Sequence, residues 1–168
     1  MNSINIKSKS TTVKLVYIST LIAISFIGSL IKIQGTIALD SMPGFFAALF
    51  LRPVSGAVVG SVGHLLTALT SGFPLTLPIH LIIGLEMAVF VYIFGWIYEK
   101  INPIFASIIA IILNGLVSVI ILAPATVWLG FPLSGKSFIY AMAGPLTLAS
   151  AVNVILAVIV YRIVQDRI

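Results

Sequence analysis

The chain has 168 residues, 60% of them hydrophobic and only 8% charged, with a formal net charge of +5 and no cysteine. A soluble globular domain carries roughly 25% charged residues, so the composition excludes a soluble domain and places the chain in a membrane. Without cysteine there are no disulfides, no thiolate catalysis and no cysteine-ligated metal. The basic residues gather at the ends of apolar segments and form no stripe, which fits the positive-inside rule and not a nucleic-acid partner.

Residues 1–12 read as a basic cytoplasmic tail, and residues 13–168 as a single membrane domain of six helices. The first span is predicted over Val13 to Ile33, because ~20 apolar residues at ~1.5 Å each cross the hydrocarbon layer. No small-residue cleavage site follows it, so a cleavable signal peptide is not expected. Gly35 is expected to end it, with a loop from Gln34 to Asp40. Ser41 to Leu51 is too short for a comfortable span, and Arg52-Pro53 interrupts the chain before another helix, Val54 to Thr70. Treated as a hairpin of two spans, this region puts both termini on one side. That side then holds Lys7, Lys9, Lys14, Arg52, Lys100, Arg162 and Arg167, leaving Lys32 and Lys136 opposite. Treated as one broken span, it sends the C-terminal arginines outward, against the rule. The hairpin is preferred, with both termini cytoplasmic.

Ser71 to Pro78 is predicted as an outer loop, since two prolines and a glycine oppose a regular helix. Ile79 to Tyr98 forms the fourth span, and Asn102-Pro103 turns the chain into a fifth that runs to about Leu122. A second outer loop, Ala123 to Ser137, holds Pro124, Trp128, Gly130, Pro132 and Gly135. The sixth span, Phe138 to Val164, carries Gly144-Pro145 near its outer end, where a kink is expected. The expected architecture is therefore an all-α integral membrane bundle with a short second helix and structured outer loops. No internal repeat is apparent, which weighs against an inverted-repeat carrier.

One motif match is misleading. Gly130 to Ser137 satisfies the phosphate-loop pattern G-x-x-x-x-G-K-[ST]. A working phosphate loop joins a buried strand to a helix in an α/β domain, whereas this match lies between two spans. A tight outer turn is the better reading.

The buried polar residues point to chemistry. His64 falls in the outer half of the third span, His80 at the outer start of the fourth, and Glu86 about two turns deeper. Asn114 and Asn153 fall near the middle of the fifth and sixth spans, and Asp40 opens the second from outside. Ionisable groups within a membrane cost at least ~2.5–3.5 kcal/mol on insertion scales, so their retention suggests a ligand site. The competing readings are that the asparagines bond across helices and that Asp40 caps the second helix. Phe73 and Trp128, in the two outer loops, are candidates to stack on a ligand, or else belong to an interfacial aromatic belt with Tyr140. No H-E-x-x-H spacing or third histidine is present, so neither a catalytic residue nor a metal site is assigned, and no cofactor is expected.

At this point the chain resembles a known family, the substrate-binding S components of energy-coupling factor (ECF) vitamin transporters. The similarity lies in its length, six spans, short second span and outer loop before the fourth. PGFFAALFLRPVSGAVVGSVGHLLTAL looks like the family's second and third spans. Family members carry Ala-x-x-x-Ala on the first helix against a coupling subunit; here the nearest match is Ser19-x-x-x-Ala23. IALDSMPGFFAALFL and GHLLTALTSGFPLTLPIHL look most like the subgroup assigned to α-ribazole, a nucleoside precursor of cobalamin. The resemblance implies no enzyme activity in this chain. It also implies a vitamin-like ligand taken from outside, a transmembrane coupling subunit and two cytoplasmic ATPases, and a cycle in which the subunit reorients in the bilayer. The alternatives are a standalone carrier or channel, or a small intramembrane enzyme.

Overall fold

The structure, a computed structural model, describes residues 10–34 and 37–167. The basic tail as far as Lys9 and the stop expected at Gly35 lie outside the described residues. Six helices follow one another: α1 (Thr11–Gly28), α2 (Met42–Phe50), α3 (Pro53–Thr70), α4 (Thr76–Lys100), α5 (Pro103–Trp128) and α6 (Gly135–Gln165). A short antiparallel hairpin of β1 (Lys32–Gln34) and β2 (Ile37–Ala38) lies between α1 and α2. Five of the helices are long and apolar enough to cross a membrane.

The exception, α2, has nine residues and rises only about 13 Å, roughly half a hydrocarbon core. Every residue from Pro43 to Leu49 is buried, as expected of a helix that is apolar on all sides. Its close seat depends on small residues. A Cβ on Gly56 of α3 would lie 2.5 Å from the Ala48 Cβ and 2.6 Å from Ala48 backbone, so only glycine allows this approach. Pro53 then stops α2 from continuing into α3, since its ring fixes φ and removes an N–H donor. Pro103 opens α5 in the same way, with Asn102 as its cap: Oδ1 accepts from the N–H groups of Ile104 at 2.9 Å and Phe105 at 3.0 Å.

Ring contacts tie one end of the bundle together. Tyr17 meets Phe50 at 5.6 Å between centroids, and Tyr98 meets Tyr161 at 6.0 Å. The start of α1, the α2–α3 turn and the last turns of α4 and α6 therefore share one end. Lys14, Arg52, Lys100, Arg162 and Arg167 lie at that end, while Lys136 starts α6 at the other, the loop end. The main core, around Phe45, Leu49, Val91 and Phe94, packs α2 against α3, α4 and α6. A second, smaller cluster of Ile79, Val119, Leu122 and Phe138 sits under the α3–α4 and α5–α6 loops.

The structure corrects several expected boundaries. The first span ends at Gly28, five residues before Ile33, and the chain beyond it forms the hairpin. The α3–α4 loop ends at Leu75, because Pro78 fits within the first turn of α4, where N–H groups have no helical partner to lose. The fifth span passes Leu122 and Pro124 and continues to Trp128. Membrane helices tolerate an internal proline when neighbouring groups take over the freed backbone. Near the end of this helix the Thr126 hydroxyl donates to the Ala123 carbonyl at 2.7 Å and accepts from the Gly135 N–H at 3.2 Å, tying α5 to the start of α6. The expected loop from Ala123 to Ser137 thus shrinks to residues 129–134, and α6 starts at Gly135, within the phosphate-loop pattern. The helix α6 is continuous through Pro145.

Candidate functional site

The segment from β2 to Ser41 departs from helix inside the bundle, which lipid does not permit unless protein satisfies its polar groups. Asn153 of α6 supplies most of what is needed. Its Oδ1 accepts from the Met42 N–H at 2.8 Å, and its Nδ2 donates to the Ala38 carbonyl at 3.3 Å and the Ala149 carbonyl at 2.9 Å. The Ser25 hydroxyl of α1 donates to the Asp40 carbonyl. These bonds hold the Asp40 side chain at the wall of a cavity. They also correct one expectation, that Asp40 caps α2: the first amide of that helix bonds to Asn153 instead.

The cavity has a volume of about 180 Å³ and opens where the two apolar clusters meet. Asp40, Ser41, His64, Asn114, Ser118, Ser150 and Asn153 provide its polar wall. Leu75, Ile83, Leu122, Phe138, Met142 and Leu146 provide the apolar one. Among the described residues, neither α1 nor α2 lines it, and no lysine or arginine does.

Two carboxyl oxygens are left without a donor. Asp40 Oδ2 and Glu86 Oε1 are both buried and have no hydrogen-bond partner among the described residues. Asp40 Oδ2 lies 3.8 Å from His64 Nδ1, beyond hydrogen-bond length. The other oxygen of Glu86 accepts from the Ser118 hydroxyl at 2.5 Å, and Ser118 lines the cavity. A buried polar group left unpaired costs about 1–3 kcal/mol, so the Asp40 oxygen at the cavity wall favours a ligand that donates hydrogen bonds. Of the α5 residues on this wall, Asn114 lies in a π-helical turn at Leu113–Val117 and Ser118 directly follows it, an irregularity frequent at functional sites. Asn114 within it donates from Nδ2 to the Ser150 hydroxyl at 2.9 Å.

Behind His64 lies His80, fully enclosed at 0% exposure. The two rings meet through His64 Nε2 and His80 Nδ1 at 3.2 Å. The N–H of Leu75 donates to His80 Nε2 at 3.4 Å. Phe73 packs its ring 5.8 Å from that of His80. It does so from a left-handed backbone, φ 49°, following Gly72 at φ 75°, a conformation rare for a bulky residue.

Of the residues singled out in the sequence, Asp40, His64, Asn114 and Asn153 line the cavity. Glu86 joins it through Ser118, and His80 and Phe73 stand behind it. Trp128 lies apart: it is the last residue of α5 and 83% exposed, because the loop expected around it is helix. Ser19 and Ala23 are exposed on the outer side of α1. Sequence reasoning missed Ser150 and the apolar wall of Phe138, Met142 and Leu146, which look like ordinary span residues. Among the described residues no three His, Asp or Glu side chains converge as metal ligands would.

A bundle of membrane helices around a mostly apolar cavity with a few convergent polar groups defines a small-molecule-binding membrane protein. Comparison with known proteins narrows the class. Residues 13–165 match the family described as "ECF transporter, substrate-specific component". Among solved structures the chain is similar to the one titled "Structure and mechanism of the S component of a bacterial ECF transporter". The two are 22% identical with a TM-score of 0.61, over 94% of this chain and 96% of that one, which shows a shared fold. No curated protein matches the chain. The chain belongs to the ECF transporter substrate-specific component family. It is therefore the substrate-binding S component of an ECF importer, a multi-pass membrane protein of a family that couples to a transmembrane subunit and ATPases.

Proposed function

We propose that this S component captures a neutral, nucleoside-like vitamin precursor from outside, with α-ribazole as its substrate, and delivers it inward by reorienting against a coupling protein. Asp40, His64 and Asn114 bind the ligand and Glu86 acts on it through Ser118, while His80, Phe73 and Asn153 hold these groups in place. The observation that carries this reading is the buried Asp40 Oδ2, unpaired among the described residues, at the wall of a cavity that none of their lysines or arginines lines. A phosphate ester or carboxylate ligand would find no charged partner there. A nucleoside presents hydroxyl donors to the carboxyl groups and a fused ring to Phe138, Met142 and Leu146. The sequence resemblance of the Ile37–Leu51 and Gly63–Leu81 regions to the α-ribazole subgroup supports the same ligand.

The basic cluster at the end opposite the loops supports cytoplasmic termini and an outward-facing cavity. Ser19 and Ala23, small and exposed on a helix that lines no part of the cavity, suit the contact with a coupling subunit driven by two cytoplasmic ATPases. The test is uptake into proteoliposomes containing this subunit, the coupling protein and the ATPases. α-Ribazole should accumulate only with ATP and the complete set. Accumulation by the isolated subunit would favour a standalone carrier, and no binding of α-ribazole to the purified subunit would remove that substrate.

A further inference from the structure

We propose that the Leu75–His80–His64 chain fixes His64 as a hydrogen-bond donor beside the acceptor Asp40, so that the pair clamps a ligand hydroxyl. In this arrangement His80 is a positioning residue that touches no ligand. The ligand half of the statement rests on the cavity being the substrate site; the histidine half does not.

The chain of donors has a single direction. Leu75 donates its backbone N–H to His80 Nε2, and a nitrogen that accepts cannot carry a proton. A doubly protonated His80 has no lone pair to offer, so His80 is neutral with its proton on Nδ1. That proton faces His64 Nε2 at 3.2 Å, which must then accept. The proton of a neutral His64 is thereby moved to Nδ1, the atom 3.8 Å from Asp40 Oδ2. A donor and an acceptor stand side by side at the cavity wall, too far apart to satisfy each other. A hydroxyl fills that gap, because it accepts from His64 and donates to Asp40. An ether or a methyl group in its place leaves one or both unpaired, the circumstance in which polar sites discriminate most strongly.

Reversing the chain breaks the site. Were His80 to carry its proton on Nε2, it would oppose the Leu75 N–H, and its Nδ1 would accept from His64 Nε2. His64 Nδ1 would then turn a lone pair towards the Asp40 carboxylate, and no donor would remain for a hydroxyl oxygen. The α3–α4 loop thus takes part in the chemistry of the cavity without lining it with a charged group: a backbone amide sets a proton two rings away. Phe73, packed against His80 from its left-handed turn, holds the first ring in register with that amide.

The chain has only two histidines, so ¹⁵N nuclear magnetic resonance of the histidine-labelled full-length protein in lipid nanodiscs reads both rings directly. Without ligand, both should be neutral with the proton on Nδ1, the tautomer less populated by free histidine in water. His80→Gln keeps an acceptor and a donor about as far apart as the ring nitrogens and should leave the His64 signals on Nδ1. His80→Phe removes both groups at similar size and should release the His64 proton to Nε2. With α-ribazole as probe, His80→Phe should weaken binding about tenfold, as the loss of one ordered hydrogen bond does, and His80→Gln should bind within about threefold of wild type. A wild-type His64 protonated on Nε2 overturns the proposal, as does undiminished binding by His80→Phe. If wild type binds no α-ribazole, the substrate reading fails, and the wild-type spectrum still decides the histidine chain.

Discussion

Replacing Asp40 by asparagine separates a ligand-binding carboxylate from a structural one. The substitution keeps size and shape, removes the charge and turns one acceptor oxygen into a donor. In the ligand-free protein Asp40 Oδ2 has no donor among the described residues, so nothing in the fold loses a partner at that atom. Relieving an unpaired buried carboxyl oxygen should leave stability unchanged or raise it by about 1 kcal/mol. For a chain of this size that corresponds to a Tm higher by about 2–4 °C. The ligand loses a hydrogen bond to a charged group, about 1.5–3 kcal/mol, which is a roughly 10- to 150-fold weaker Kd. Calorimetric titration of α-ribazole into the purified protein, with a thermal melt of the same sample without ligand, measures both. Weaker binding with an equal or higher Tm is the expected result. Binding within threefold of wild type, or a melt lowered by several degrees, would refute the assignment of Asp40 to the ligand.

The remaining predictions test other parts of the same site. Glu86→Ala should insert and purify normally but bind α-ribazole about tenfold more weakly, since Ser118 loses the carboxylate it donates to; unchanged affinity would remove Glu86 from the site. Trp128→Ala should leave affinity within about twofold of wild type, because this side chain is 83% exposed and away from the cavity; a tenfold loss in titration would place it on the ligand. Ala23→Leu should bind normally and abolish ATP-driven uptake in proteoliposomes, as a bulky side chain prevents close approach on the exposed face of α1. Normal uptake by that variant would contradict its role in coupling.

Much of the architecture is legible in the residues themselves. Apolar runs separated by Arg52-Pro53 and Asn102-Pro103 place the spans, and the brevity of Ser41 to Leu51 reveals a helix that cannot cross the bilayer alone. Proline was over-read as punctuation. Pro78 sits in a first helical turn where no hydrogen bond is lost, and Pro124 lies within a membrane helix, where an internal proline is tolerated more readily than in water. That error is why Trp128 was expected beside the ligand. The use of Asn153 was hidden for another reason: its partners Ala38 and Met42 are more than a hundred residues away in sequence. No local pattern says that the amide will hold an irregular segment inside the bundle. The π-helical turn at Leu113–Val117 leaves no residue signature either, since it arises where α5 packs against α6, with Gly115 lying on Thr147.

In the proposed function, the buried polar groups of α3 to α6 and of the segment before α2 receive the transported molecule. An experimental structure of the purified subunit loaded with α-ribazole tests this most directly. A ligand hydroxyl is expected between Asp40 and His64, with the fused ring against Phe138 and Met142. Ligand bound elsewhere, or a loaded subunit whose Asp40 still has no partner, would contradict it.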